Sequence, residues 1–153
     1  HSRERLELAS GVLAVVVAGV HLYWGIPRFT NYASIGSMPD PRPLAFVLSG
    51  HAIMIAITLV VAGVLDARRT YLPGMGLVLV HILGYVAWHT VFDHRIGHTP
   101  GTTSHSHAGT QIWSVPGTVL DHILNSPLAL LSKTTELALL VLLGVLYVRS
   151  RRG

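Results

Sequence analysis

No cysteine occurs in the 153 residues, so this chain has no disulfide, no cysteine-held Fe–S cluster and no thiol redox chemistry. Charge is scarce as well: Asp, Glu, Lys and Arg make up 12% of the residues, seven acidic against eleven basic. With 50% hydrophobic residues and a mean hydropathy of +0.53, so few charges do not suit an ordinary water-soluble globule. A phosphate-binding glycine loop, a nucleophile elbow and a carboxylate pair are also lacking, which leaves hydrolase and nucleotide chemistry without support. The basic residues form no stripe but scatter over the termini and short connections, which argues against nucleic acid as a partner.

What is present is a set of four apolar blocks, separated by stretches rich in Pro, Gly, His and Arg. Each is long enough for a hydrocarbon core that needs about 20 residues. Spans are expected at about 6–26, 44–65, 72–92 and 128–148, the last interrupted by the polar run Ser132 to Glu136. The expected fold is therefore a single all-α integral membrane domain over 1–153, an antiparallel bundle of four transmembrane helices. Gly11, Ala14 and Ala18 give the first helix small residues at the spacing that lets helices pack closely in lipid. The basic flank and apolar run at the start resemble a signal peptide. The run continues through His21, Tyr23 and Trp24 without a small-residue cleavage site, so it reads as a helix that is kept.

Arginine position suggests orientation. Arg3 and Arg5 precede the first helix, Arg68 and Arg69 join the second and third, and Arg149, Arg151 and Arg152 follow the fourth. The opposite side has only Arg28, Arg42 and Arg95, with Lys133 just inside the last span. The positive-inside bias then places both termini in the cytoplasm of a multi-pass plasma-membrane protein. The longer loops, 28–43 and 94–127, face outward. The link from Asp66 to Tyr71 reads as a tight turn that closes helices two and three into a hairpin, with Pro73 in the first turn of the helix it opens. In the second outer loop, TVLDHILNSP suggests a short interfacial helix before Pro127 starts the fourth span, with Trp113 as an anchor.

Ten histidines stand out against this apolar background. Counting 1.5 Å per residue from the outer ends of the spans puts His21 about 8–10 Å deep, His51 about 10 Å and His89 about 6 Å. Three helices thus offer an imidazole at one level, with His122 approaching it from the surface segment and His81 expected deeper, near mid-membrane. His81, Tyr85, His89 and Asp93 recur every four residues along the third helix, and Gly84 beside them leaves room for a flat ligand. A polar ring facing lipid is costly, so such histidines turn inward to a hydrogen bond, a ligand or a cavity.

Two cofactor classes suit the pattern. A b-type heme held by histidine would use Tyr23, Trp24, Tyr85 and Trp88 as walls and Arg28, Arg42 or Lys133 for its propionates, with His51 and His89 the preferred ligands and His21 and His122 next. A Cu, Zn or Fe ion could draw on the same histidines and His81, with Asp93 as ligand or supporting carboxylate. The outer loop adds His94, His98, His105 and His107, a looser set of ligands for divalent metal. Lys133 and Glu136, three apart, are placed to neutralise each other on one helix face.

The expectation is a membrane heme- or metal-binding protein with a redox or electron-transfer role, suited to an oxidoreductase component. Two alternatives come from other classes. One is divalent-metal handling or transport through the histidine loop, and the other a non-catalytic subunit of a membrane complex. The bilayer is the main expected partner, beside a second copy or a larger complex.

Overall fold

The structure, a computed structural model, describes residues 2–89 and 115–152. These residues form five helices in order: α1 (Ser2–Ser34), α2 (Arg42–Val61), α3 (Ala67–Ala87), α4 (Val115–Leu124) and α5 (Pro127–Arg152). Among the described residues there is no strand, and four helices, all but α4, are long and apolar enough to cross a membrane.

The first helix is longer than its apolar run. It continues eight residues past Ile26 and contains Pro27, so the expected loop at 28–43 shrinks to the segment 35–41. A proline inside a helix strands the carbonyl one turn earlier, here that of Tyr23, and Tyr23 is 74% exposed, where another donor can reach the carbonyl. Beyond it Arg28 Nη1 donates to Trp24 O and Thr30 Oγ1 to Ile26 O, which reinforces the turn after the proline. The third helix also starts early, at Ala67, because Asp66 caps it by accepting from the Arg68 backbone N–H at 2.9 Å. Tyr71 is therefore a buried helical residue and not part of the link, which is 62–66 with Gly63 at φ +71°.

The polar run in the fourth apolar block does not break α5. Thr134 and Thr135 fold their hydroxyls back onto the carbonyls of Leu130 and Leu131 at 2.7 Å, while Ser132 and Glu136 turn inward. Pro127 opens this helix as expected, with Ser126 Oγ accepting from Ala129 N–H. The short helix α4 covers most of the expected TVLDHILNSP segment and packs on the start of α5.

Helix α1 lies against both α2 and α5, and α3 lies against α5. The contact between α1 and α2 is close at two glycines. A Cβ at Gly25 would meet Phe46, Val47 and the Pro43 carbonyl at 3.1 Å, and one at Gly50 would meet Leu22 at 2.7 Å and the Ala18 carbonyl at 3.2 Å. Although joined by a short link, α2 and α3 touch each other little. The expected tight hairpin is therefore a short turn between helices that each prefer another neighbour. At the end of the assembly near this turn, Val17, Tyr71, Val78, Leu139, Leu143 and Leu146 form a closed core. Tyr71 completes it by donating to Glu7 Oε1 at 2.7 Å, which Arg3 also holds at 3.0 Å.

Candidate functional site

Away from that turn the gap between α2 and α3 becomes a cleft of about 940 Å³, near the top of the roughly 300–1,000 Å³ range of small-molecule and cofactor sites. One wall is Ala45, Phe46, Leu48, Ser49 and Ala52 of α2, and the other is Leu77, Val80, His81, Gly84 and Tyr85 of α3. His21 and Trp24 of α1 and Leu128, Ala129, Ser132 and Lys133 of α5 close the back. Leu48 and Val80 sit on its rim at 61% and 66% exposure, so the cleft opens sideways between helices and not only at their ends.

Beneath this apolar surface lies a buried polar network. Glu136 is fully enclosed; its Oε1 accepts from Ser132 Oγ at 2.7 Å and His21 Nε2 at 3.1 Å, and its Oε2 accepts from Lys133 Nζ at 2.6 Å. The other nitrogen of His21, Nδ1, is 3.3 Å from Ser49 Oγ. The network therefore ties α1, α2 and α5 together and places a carboxylate beside an ammonium, the condition under which charges survive away from water. Both ring nitrogens of His21 are engaged inside the protein.

His81 is held differently. Its ring stacks on that of His21 with centroids 4.5 Å apart and planes 25° from parallel, and Phe46 packs beside both. Nδ1 of His81 is 2.9 Å from the Leu77 carbonyl, and since a carbonyl only accepts, the proton is on Nδ1. The Nε2 lone pair is left on a ring that lines the cleft. A ring anchored by one N–H to a backbone carbonyl is how proteins orient a metal-ligating histidine.

The other expected residues divide between the cleft and elsewhere. Tyr85, Trp88 and His89 line it, with the Tyr85 and His89 rings 4.5 Å apart and Lys133 Nζ 5.0 Å from the Tyr85 ring centre. His51 does not line it. Its ring is exposed and bonds Val47 O on its own helix at 2.8 Å. His122 is carried by α4, and its side chain is not among those described. Asp93, His94, His98, His105 and His107, and Trp113 with them, lie outside the described residues. Among the described residues no three His, Asp or Glu side chains are grouped as a metal-ion set requires.

Spacing along the chain did not reveal two features of the site. The pairing of His21 with Glu136 joins residues 115 apart, and only the i, i+3 partnership of Glu136 with Lys133 was visible locally. At the mouth, Arg42 is gripped by Asp40 at 2.7–3.0 Å and lies 3.9 Å from the Trp88 ring centre and 5.7 Å from that of Trp24. Arg28 covers Trp24 at 4.3 Å. These cation–π contacts connect α1, α2 and the end of α3 across the opening. The chain matches no protein-family model, and no curated protein or solved structure matches it either.

Proposed function

We propose that the chain is an integral membrane protein whose outer-half cleft binds a b-type heme in a redox or electron-transfer role, and that His81 would hold it through Nε2. The single observation that carries this reading is His81 itself: a ring oriented through Nδ1 by the Leu77 carbonyl, on a residue that lines a large apolar cleft. Bound there, heme supplies one-electron chemistry. The residues around it do the rest. Phe46, Leu77, Tyr85 and Trp88 exclude water, His21 backs the ligand ring, and the Ser132–Glu136–Lys133 group fixes His21.

Membrane insertion is supported by four helices of spanning length in which at most 22% of the most apolar window is buried within the protein. Leu8, Val12, Val15, Leu79, Leu83, Leu137 and Val141 are left exposed on them, a surface that suits lipid and not water. Contacts that run from Gly25 beside Phe46 to Ala18 beside Gly50 favour an antiparallel arrangement of α1 and α2. The arginine bias puts the termini and the 62–66 link in the cytoplasm. His81 and His89 are about 12 Å apart along α3, so they do not bracket one ring, and heme is taken up with a single described histidine.

Titration of the detergent-purified protein with hemin tests this. We expect saturation at about one equivalent with a sharpened Soret band. His81→Ala should lose that band while His51→Ala retains it. Equal spectra from all three proteins contradict the ligand assignment.

A further inference from the structure

A second, shallower pocket of about 480 Å³ adjoins the cleft, and Trp24 and Arg42 wall both. Its remaining lining is Pro27, Arg28, Asn31, Tyr32 and Asp40. Because Pro27 does not end α1, the helix carries Arg28, Asn31 and Tyr32 beyond the cleft, with Asn31 and Tyr32 three and four residues after Arg28 and so on its face. We propose that this pocket receives the acidic end of an amphipathic ligand whose apolar body lies in the cleft, with Arg28 binding the carboxylate. The inference rests on the cleft being a ligand site, but not on the ligand being heme.

Three cations are near enough to meet such an acid, and two already have partners. Arg42 is held by Asp40 through Nε and Nη2, and Lys133 is held by Glu136 at 2.6 Å. Arg28 has no carboxylate partner among the described residues, and it spends one N–H on the Trp24 carbonyl while its plane rests on the Trp24 ring. A guanidinium has five N–H donors in a fixed fork, so four remain for an anion, and the indole beneath holds the fork in place. Asn31 and Tyr32 offer further uncharged donors. Arg28 is seven residues beyond His21 on α1, about 10 Å along the axis, which sets the ligand's reach. A small acid cannot touch the cleft floor and Arg28 together. A long-chain fatty acid can, and so can a porphyrin with carboxylate arms.

Binding of cis-parinaric acid and of its methyl ester, followed by fluorescence on the purified protein, compares ligands that differ only in the charge. Hemin and its dimethyl ester form the second pair. The wild-type protein should bind the acid of at least one pair about fivefold more tightly than the ester, as an exposed charge-assisted contact allows. Arg28→Gln should erase that preference and Arg28→Lys should keep part of it. The folding of both is checked by thermal unfolding, and Arg28 is exposed enough for that to be unchanged. A preference in the hemin pair alone identifies the acid as a cofactor's. A preference in the fatty-acid pair alone keeps the subsite and removes heme from the proposed function. Equal affinity of acid and ester in the wild type, no binding by either pair, or a preference that survives Arg28→Gln overturns the proposal.

Discussion

At the end of the assembly near the 62–66 link, Val17, Tyr71, Val78, Leu139, Leu143 and Leu146 close on one another, whereas at the other end α2 and α3 stand apart around about 940 Å³. Both ends are built from the same helices, and both hold a carboxylate bonded by neighbours, the partly exposed Glu7 at one and the enclosed Glu136 at the other. They differ in how space is filled. At the closed end Tyr71 and Val78 of α3 pack with Leu139, Leu143 and Leu146 of α5; at the open end Phe46 and His81 meet at the back, while the small residues Gly84 of α3 and Ala45, Ser49 and Ala52 of α2 leave the space between the helices unfilled. Larger side chains would close this space, and its presence at one end alone is what the proposed ligand site rests on.

The comparison is broken most strongly at the polar network. Glu136→Ala leaves Lys133, 12% exposed, without its carboxylate, and should destabilise the protein by about 3–5 kcal/mol in denaturant unfolding. Replacing both, Glu136→Gln with Lys133→Met, should recover most of this, since the cost belongs to the orphaned charge. A double variant as unstable as the single one means that the network holds the helices by geometry and not by charge balance.

The two glycines of the comparison come next. Gly50→Leu forces α1 and α2 apart and should cost about 2 kcal/mol. Gly84→Leu meets nothing within 4 Å at its Cβ and should leave stability unchanged or raise it by about 0.5 kcal/mol, while filling the cleft and abolishing hemin uptake. Equal stability losses at the two positions contradict the open-end description.

Leu146→Ala, in the closed end, should cost about 1–2 kcal/mol, below the usual range for a core leucine in water. In lipid, the surroundings proposed for these helices, the transfer part of the cost vanishes and only the cavity and lost contacts remain. Hemin binding should not change. The smallest effect is expected at His51→Ala, within about 0.5 kcal/mol and without loss of ligand, as its ring bonds only its own helix.

Much of the architecture was legible in the sequence, because apolar blocks of spanning length can adopt few other forms. The starts of α2, α4 and α5 fall within about three residues of the expected ones, that of α5 at Pro127, and the histidines were expected at the end of the assembly where the cleft lies. Depth was the weak step. Ending the first span at about residue 26 put His21 about 8–10 Å from the end of its helix, yet α1 continues to Ser34, thirteen residues beyond His21 or about 20 Å. His21 lies beside His81, where their rings stack, while His51, next to the Gly50 that packs on Leu22 and Ala18, is near the level of His21 but on the outer face of α2. No local pattern could show that α1 continues past Pro27, because a proline next to an exposed carbonyl costs a helix less than one in a closed interior. The link from His21 to Glu136 was hidden for another reason. Each residue alone reads as an ordinary buried polar group, and only the meeting of α1 with α5 makes them partners.

The most direct test of the central claim is the visible absorption spectrum of the hemin-loaded, detergent-purified protein, taken before and after dithionite beside its His81→Ala variant. A heme ligated in the cleft gives the wild type a Soret band that shifts on reduction, with resolved α and β bands, and the variant neither. A featureless wild-type trace, or identical spectra from the two proteins, contradicts the assignment of the open end as a heme site.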